Sequence, residues 1–286
     1  MQTAAFSLMS CGNLLGALVV ARSRVLALLL SGMCVVSPIF LSRDWPIFRT
    51  VCAFGFAAGF LRVVQLARST AGTTLGSRVL STVFLVIDPR RGVARLPKTL
   101  RLGSFAAGIV EMGVAVALFL WLDRLSGAAR VLVGGTSAYF IVEGVARFVE
   151  GLVAAFGVDA GPFHDAPIRA RTVGEFWSRR WNRAIHVWLN EHAFRPTAKR
   201  VGVALGVLAA FGASALLHAI PIWVAFDLRA GLVMGAFFLI HGVIVIIESR
   251  LGVARWPRFA GHAWTLGLFA VTAPLFVQPM LASLGR

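Results

Sequence analysis

Residues 229–248 read RAGLVMGAFFLIHGVIVIIE, with Arg229 and Glu248 as their only charged side chains, one at each end. About 20 mainly apolar residues are what a helix needs to cross the hydrocarbon core of a bilayer. Inside that core every backbone N–H and C=O must be bonded within the protein, which an α-helix achieves by itself. The stretch therefore predicts a membrane-spanning helix.

The composition of the whole chain extends this prediction. The 286 residues are 58% hydrophobic and only 14% charged, and their mean hydropathy is +0.81. Soluble domains average about 45–50% apolar and about 25% charged residues, while disordered chains have low hydrophobicity. A water-soluble globule and a disordered chain are therefore excluded. We expect a multi-pass integral membrane protein, located in a bacterial inner membrane.

Apolar runs of similar length recur along the chain. They cover about residues 5–20, 25–41, 50–67, 102–122, 131–156, 201–221, 229–248 and 260–282. These runs predict an all-α, polytopic bundle of about eight transmembrane spans, forming a single membrane domain over residues 1–286. The apolar segment 79–87 is too short to span a bilayer, so we expect it to be interfacial or re-entrant.

The net charge of +16 is carried almost wholly by arginine. The basic residues collect in three connecting segments, about 68–101, 169–200 and 250–258, which are separated by even numbers of spans. The positive-inside rule places such segments in the cytoplasm and hence both termini outside. In a multi-pass protein this excess of arginine indicates cytoplasmic loops and anionic lipid headgroups. No nucleic acid is expected as a partner.

Charged side chains within a predicted span are costly and therefore informative. Glu143, Arg147 and Glu150 are four and three residues apart, so they share one helical face. We expect them to form a charge-compensated network toward the bundle interior, which Glu111 could join. Either the network is structural, or it lines a path for a substrate or a proton, as in a small transporter or channel.

His218 lies near the end of an otherwise uncharged span. Its side chain could simply hydrogen-bond a neighbouring backbone carbonyl. A buried neutral imidazole can also act as a general base toward an alcohol. Position alone leaves both interpretations open. The histidines of the chain do not form H-x-x-x-H or another metal-binding pattern, so no metal is expected.

Residues 181–192 predict an amphipathic helix at the membrane surface. Trp181, Ile185, Trp188 and His192 recur in it at helical spacing, which gathers aromatic side chains on one face. Such a helix either anchors the protein to the membrane surface or, with the arginines around it, binds a phosphorylated ligand whose apolar part enters beside the tryptophans.

Three segments of the C-terminal half resemble motifs of the plant wax ester synthases. Residues 176–182, FWSRRWN, resemble F-W-G-R-R-W-N; residues 214–218, SALLH, resemble S-G-x-x-H; residues 237–243, FFLIHGV, followed by Glu248, are similar to F-F-x-x-H-G-V…E. The three occur in the same order and with compatible spacing over about residues 165–250. The chain thus resembles the wax-ester-synthase-like branch of the membrane-bound O-acyltransferase superfamily.

This resemblance implies transfer of an acyl group from acyl-CoA to the hydroxyl of a lipophilic alcohol inside the membrane. It implies that His218 is the general base and Asn182 its paired polar residue. Acyl-CoA is then a co-substrate and no cofactor is expected, while a homo-oligomer stays open. The side chains expected to bind the substrates are Trp177, Arg179, Arg180, Trp181, Arg183 and His241.

Two further expectations concern depth and pairing. On the predicted boundaries His218 lies toward the outer side of its helix, whereas acyl-CoA arrives from the cytoplasm, so a later or tilted helix or a tunnel must join them. His241 and Glu248 share a helix face about 10 Å apart along the axis, too far to bond each other. We expect His241 to line the chamber beside His218, and Glu248 to pair with an arginine such as Arg250 or one in the 169–183 loop.

Overall fold

The fold was obtained as a computed structural model that describes residues 2–83, 101–157 and 163–286. Regular structure in these ranges is helical throughout, which confirms the all-α prediction. The α-helices are α1 (Gln2–Ser10), α2 (Gly12–Val19), α3 (Arg24–Val36), α4 (Pro46–Arg68), α5 (Leu75–Val83), α6 (Leu102–Trp121), α7 (Gly127–Ala154), α8 (Val173–Glu175), α9 (Arg183–Leu189), α10 (Arg195–Val201), α11 (Val203–Ala225), α12 (Leu228–Leu251) and α13 (Arg258–Ser283).

Six helices, α4, α6, α7, α11, α12 and α13, are long and apolar enough to cross a membrane. They correspond to six of the predicted spans, and the protein is an integral, multi-pass membrane protein. The first two apolar runs form shorter helices, Ala5–Val19 and Arg24–Phe40. Arg22 and Arg24 interrupt the apolar sequence between them, so neither run reaches span length. The described ranges therefore contain six span-length helices where the sequence predicted about eight.

Helix α12 shows why these sequences fold as they do. Asp227 caps its N-terminus, accepting a hydrogen bond from the Ala230 backbone N–H at 2.8 Å. Gly252 ends it in the left-handed region, with φ 66°, where a glycine carries no steric cost. A side chain at Gly231 would lie 2.6 Å from the Ala219 carbonyl oxygen of α11. Small residues at this crossing thus let α11 and α12 approach closely.

Helices α6 and α7 form a second close pair. A side chain at Gly108 of α6 would lie 2.6 Å from the Gly144 carbonyl oxygen of α7, so these backbones also nearly touch. Helix α13 contacts both α12 and α7, and its Val277 and Leu281 pack with Leu122 in a buried apolar cluster. Helix α13 therefore joins the two helix pairs into one bundle.

The expectation for residues 79–87 is covered only in part. Residues 75–83 form the short helix α5, and Arg62 of α4 donates a hydrogen bond to the Ser81 carbonyl oxygen there at 3.3 Å. Residues 84–87 lie outside the described ranges, as do the basic residues between 90 and 98 that entered the charge argument. Whether the segment is interfacial or re-entrant stays a prediction.

The connection between α7 and α11 enters the bundle rather than staying at its surface. Trp177 contacts Phe238, their ring centroids 5.6 Å apart. Phe238 lies about 20 Å along the axis from the end of α12, at about 1.5 Å per residue. The second part of the connection is the predicted amphipathic segment, which is helical over α9 and α10 with a π-helical turn between them. Trp188 of α9 donates an indole hydrogen bond to the Leu61 carbonyl of α4 at 3.0 Å.

Candidate active site

His218 presents one ring nitrogen that no described residue engages. Its Nδ1 lies 2.8 Å from the Ser214 carbonyl oxygen, one helical turn earlier in α11. A carbonyl oxygen can only accept a hydrogen bond, so Nδ1 carries the proton and Nε2 keeps its lone pair. The carbonyl bond offered as the structural interpretation of His218 is therefore present. It leaves the side chain in the tautomer that a general base requires.

Aromatic side chains surround the half-buried His218. Its ring stacks on Phe238 of α12, with centroids 4.0 Å apart and planes 28° apart. Phe54 of α4 meets it edge-on at 6.0 Å. The imidazole is thus held in an apolar environment built by three spans, where a proton acceptor has few competing partners.

Trp177 of the FWSRRWN segment lies against the same aromatic group. Besides Phe238, its ring contacts Phe237 at 6.3 Å and Phe211 at 6.2 Å. Its indole nitrogen Nε1 is buried and has no hydrogen-bond partner among the described residues. Leaving such a donor unpaired costs about 1–3 kcal/mol, which a substrate oxygen would recover. The inserted segment, residues 176–182, thus connects the basic loop with Phe238, the ring on which His218 stacks.

His241 is separated from His218 by aromatic side chains. It is fully buried, its Nδ1 faces the Phe237 carbonyl oxygen at 2.8 Å, and its Nε2 lies 3.4 Å from the Thr272 hydroxyl. Its ring meets Trp177 at 5.8 Å. The two histidines are therefore linked by successive ring contacts through Phe238 and Trp177. Both nitrogens of His241 already have polar neighbours. A role for His241 in substrate binding stays a prediction.

Asn182 is the N-cap of α9. Its side-chain oxygen accepts a hydrogen bond from the Ile185 backbone N–H at 3.2 Å, and its backbone is left-handed, with φ 40°. Asparagine tolerates this region better than most residues. Within the described ranges no hydrogen bond joins Asn182 to His218. The expected pairing of the two residues is therefore not formed in this structure, where the Asn182 side-chain oxygen caps α9.

Arg180 is held by protein groups. Its guanidinium donates to Glu175 at 2.7 Å and to the Asp165 carbonyl oxygen at 2.9 Å. Burial would raise the pKa of Glu175, but hydrogen bonds from the Arg171 backbone and from Arg180 outweigh it and lower that pKa below its ordinary value. Arg180 therefore braces the loop, and less of its hydrogen-bonding capacity is left for a phosphorylated substrate than the sequence suggested.

Arg179 and Arg183 are exposed. The described residues offer neither guanidinium a hydrogen bond or an ion pair. Arg179 also borders a surface pocket of about 250 Å³. The other residues that line this pocket are Arg171, Thr172, Glu175, Ser178 and Ala254. An exposed, uncommitted guanidinium at a pocket suits an anionic group.

Trp181 does not line this pocket. Its ring stacks on His164 with centroids 4.4 Å apart, and on Phe176 at 5.4 Å. Tyr139 of α7 stacks on it at 5.9 Å. Trp181 therefore forms the middle of an aromatic stack between α7 and the inserted segment, a placement that supports the fold of the motif.

Glu248 binds the backbone of the 169–183 loop, not an arginine as expected. Its carboxylate accepts hydrogen bonds from the backbone N–H groups of Val173 and Gly174 at 2.9 and 2.5 Å. The Trp264 indole N–H donates to it as well, at 3.3 Å. The physical reason is that the first N–H groups of helix α8 have no partner within the helix. The prediction that Glu248 contacts the 169–183 loop is confirmed, whereas the prediction that its partner is an arginine is wrong.

The expected charge network on α7 is present in part, since Glu150 binds a backbone N–H group and not Arg147. Arg147 lies 3.0 Å from Glu143 and 3.4 Å from Glu111, while Glu150 accepts a hydrogen bond from the Phe163 backbone N–H at 2.6 Å. Sequence reasoning missed His164, whose Nδ1 lies 2.6 Å from Glu143. Its position just before the FWSRRWN segment was the only available signal. The described residues contain no group of three or more His, Cys, Asp or Glu side chains arranged for a metal.

The part of the chain that forms this site matches a known protein family. Residues 160–240 match the model of the membrane bound O-acyl transferase family. The match covers the inserted segment, Trp177, Asn182 and the His218 helix. The part of the chain that holds the candidate site is thus similar to this family.

The chain is also similar to curated acyltransferases. It is 25% identical over 224 residues to a probable long-chain-alcohol O-fatty-acyltransferase 3 of Arabidopsis thaliana, covering 72% of this chain and 65% of the relative. It is 28% identical to a long-chain-alcohol O-fatty-acyltransferase of Simmondsia chinensis, over 46% of this chain and 41% of the relative. It is 29% identical to an acyl-CoA–sterol O-acyltransferase 1 of Arabidopsis thaliana, over 47% and 43%. The chain thus spans 41–65% of the length of these relatives.

Proposed function

We propose that the protein transfers an acyl group from acyl-CoA to the hydroxyl of a lipophilic alcohol within the membrane. The observation that carries the proposal is the 2.8 Å contact of His218 Nδ1 with the Ser214 carbonyl oxygen, which leaves Nε2 without a partner among the described residues. The relatives named for acyl transfer to long-chain alcohols and to sterols support this substrate class.

In the proposed reaction His218 Nε2 accepts the hydroxyl proton of the alcohol. The alcohol oxygen forms a bond to the thioester carbonyl carbon, and the carbonyl electron pair moves onto its oxygen. When that pair returns, the carbon–sulfur bond breaks and the thiolate takes the proton from the His218 imidazolium. The products are an ester and free coenzyme A, and His218 is restored. General-base help of this kind contributes about 10²–10⁴-fold.

The unpaired Trp177 indole N–H is proposed to donate to the acyl carbonyl oxygen. Charge develops on that oxygen in the transition state, where a fixed donor in an apolar site is most effective. Its position against Phe238, the ring on which His218 stacks, supports this assignment. Trp177 also lies between the basic loop and Phe238, which supports the proposal that the acyl chain approaches His218 from the cytoplasmic side along this side chain.

Arg179 and Arg183 are proposed to meet the phosphates of coenzyme A. Both are exposed and lie in the loop from which Trp177 enters the bundle. Arg180 is bound to Glu175 and is proposed to hold the loop in shape instead. Location in a bacterial inner membrane, a homo-oligomer and the absence of a cofactor all stay predictions.

The transporter alternative rested on the Glu143, Arg147 and Glu150 face. No observation favours it, since Glu143 and Glu150 are engaged by protein groups.

The test is an assay of the purified protein with radiolabelled acyl-CoAs of several chain lengths against a panel of fatty alcohols and sterols. We expect a labelled ester and free coenzyme A in equal amounts. Substrate uptake into proteoliposomes without ester formation for any alcohol would contradict the proposal.

A further inference from the structure

Two carboxylates of α7 hold the residues that precede the FWSRRWN segment. Glu143 lies 2.6 Å from His164 Nδ1, and both side chains are almost fully buried, with 6% and 2% of their surface exposed. Glu150, two turns further along α7, accepts the Phe163 backbone N–H at 2.6 Å. Two consecutive residues of the connecting segment are thus fixed to a transmembrane helix.

These residues in turn bracket the Trp181–Asn182 turn. The Asp165 backbone N–H donates to the Arg180 carbonyl oxygen at 2.8 Å, and the Arg183 backbone N–H donates to the Phe163 carbonyl oxygen at 2.9 Å. The turn therefore lies between two backbone hydrogen bonds. Between them the His164 ring stacks on the Trp181 ring, with planes only 17° apart.

The turn needs such support because its conformation is unfavourable by itself. Asn182 is one of two non-glycine residues with positive φ among the described ranges. A residue in such a region costs of order 1–3 kcal/mol and persists only where the surroundings impose it. Here the surroundings are the two backbone bonds and the stacked imidazole, which depend on Glu143 and Glu150.

We propose that the Glu143–His164 pair is a positioning device that sets the Trp181–Asn182 turn, and through it the orientation of the FWSRRWN segment in the active site. Glu143 belongs to α7, outside the family-matching residues 160–240. Helix α7, which precedes these residues in the chain, thus supports the site without contacting the substrates. The effect on catalysis rests on the proposed acyl transfer, whereas the effect on the turn does not.

The experiment compares Glu143→Gln, His164→Phe and the double variant in purified protein. Phenylalanine keeps a ring to stack on Trp181 and loses the contact with the carboxylate. We expect each single variant to lower kcat about tenfold, with the KM for acyl-CoA changed less than about twofold. The double variant should be no worse than either single one, because both remove the same interaction.

The matched control is Glu111→Gln. Glu111 also pairs with Arg147, at 3.4 Å, but no hydrogen bond or ion pair among the described residues joins it to residues 163–165. It reports what losing an Arg147 partner does on its own, and we expect its kcat to stay within about twofold of the wild type. A Glu111→Gln loss as large as that of Glu143→Gln would overturn the proposal, as would multiplicative losses in the double variant.

A second readout separates this proposal from the proposed function. Hydrogen exchange followed by mass spectrometry reports the amides of Asp165 and Arg183 without any substrate. We expect exchange there to rise at least tenfold in Glu143→Gln and in His164→Phe, and to be unchanged in Glu111→Gln. If exchange rises while the wild type esterifies no alcohol, the proposed function fails and the positioning of the turn stands. If the wild type is active and exchange is unchanged, the positioning device is refuted.

Discussion

The polar atoms around Glu248 are hydrogen-bonded within the protein, whereas polar atoms around His218 have no partner among the described residues. Glu248, buried near the end of α12, accepts hydrogen bonds from two backbone N–H groups and one indole N–H. Around His218 the Nε2 lone pair has no described partner, and the nearby Trp177 indole N–H is buried without one. Both places lie within the same bundle, so the membrane environment does not explain the difference.

The difference teaches which polar groups serve the fold and which are left for substrates. Breaking a buried hydrogen bond costs stability because it leaves one partner unsatisfied. An unpaired group has already incurred that cost, so removing the unpaired atom breaks no hydrogen bond of the fold and chiefly affects what binds there. Substitutions at the two places should therefore separate turnover from stability, and the following predictions run from the largest effect to the smallest.

His218→Ala should lower kcat at least 100-fold in a protein that stays folded. The substitution removes the proposed proton acceptor together with one local backbone hydrogen bond and the ring contacts with Phe238 and Phe54. His192→Ala is the matched control, since His192 also faces the carbonyl four residues earlier, at 2.9 Å from Trp188. Turnover by His218→Ala above about a tenth of the wild type, measured on monodisperse protein, would exclude the role of a base.

Glu248→Gln should destabilise the protein by about 1–3 kcal/mol, because the new amide group places a donor against N–H donors. Thermal unfolding in detergent would show the loss as a lower midpoint. The kcat per folded molecule should remain within about threefold of the wild type. A folded but inactive Glu248→Gln would place this carboxylate in the chemistry and remove the distinction drawn above.

The sequence predicted the helical bundle but not all of the contacts that distinguish the two places. Apolar runs predicted the helical bundle, because periodicity and length are local properties. The partner of Glu248 was missed since the free N–H groups of α8 exist only once that three-residue helix forms. His164 was missed because its contact with Glu143 joins residues brought together by the insertion of a connection into the bundle. The short N-terminal helices reflect where arginines interrupt the apolar sequence.

Trp177→Phe should lower kcat about tenfold without loss of stability. Phenylalanine retains an aromatic ring against Phe238 and removes an indole N–H that has no protein partner. Trp188→Phe provides the contrast, since its indole N–H is bonded to the Leu61 carbonyl. That variant should lose stability and keep its turnover. Equal effects of the two substitutions on turnover would show that the pairing of an indole does not decide its role.

Arg179→Gln should raise the KM for acyl-CoA a few-fold, an effect that diminishes at high salt because the contact is solvent-exposed.

Arg180→Gln should leave the KM for acyl-CoA nearly unchanged and lower stability by about 1 kcal/mol, because it removes the partner of Glu175. The depressed pKa of Glu175 means that this contribution is present above its unfolded value near 4.5 and is lost as pH falls below it. Steady-state kinetics at two salt concentrations, with melting curves at pH 7 and 4, would measure both effects.

The most direct test measures turnover per folded molecule and melting temperature on the same preparations of His218→Ala and Glu248→Gln. The account predicts that His218→Ala stays folded and monodisperse and forms less than about a hundredth of the wild-type ester. It predicts that Glu248→Gln melts earlier and turns over nearly normally. If both variants lose turnover and stability together, the unpaired nitrogen of His218 is not what distinguishes the site, and the account is wrong.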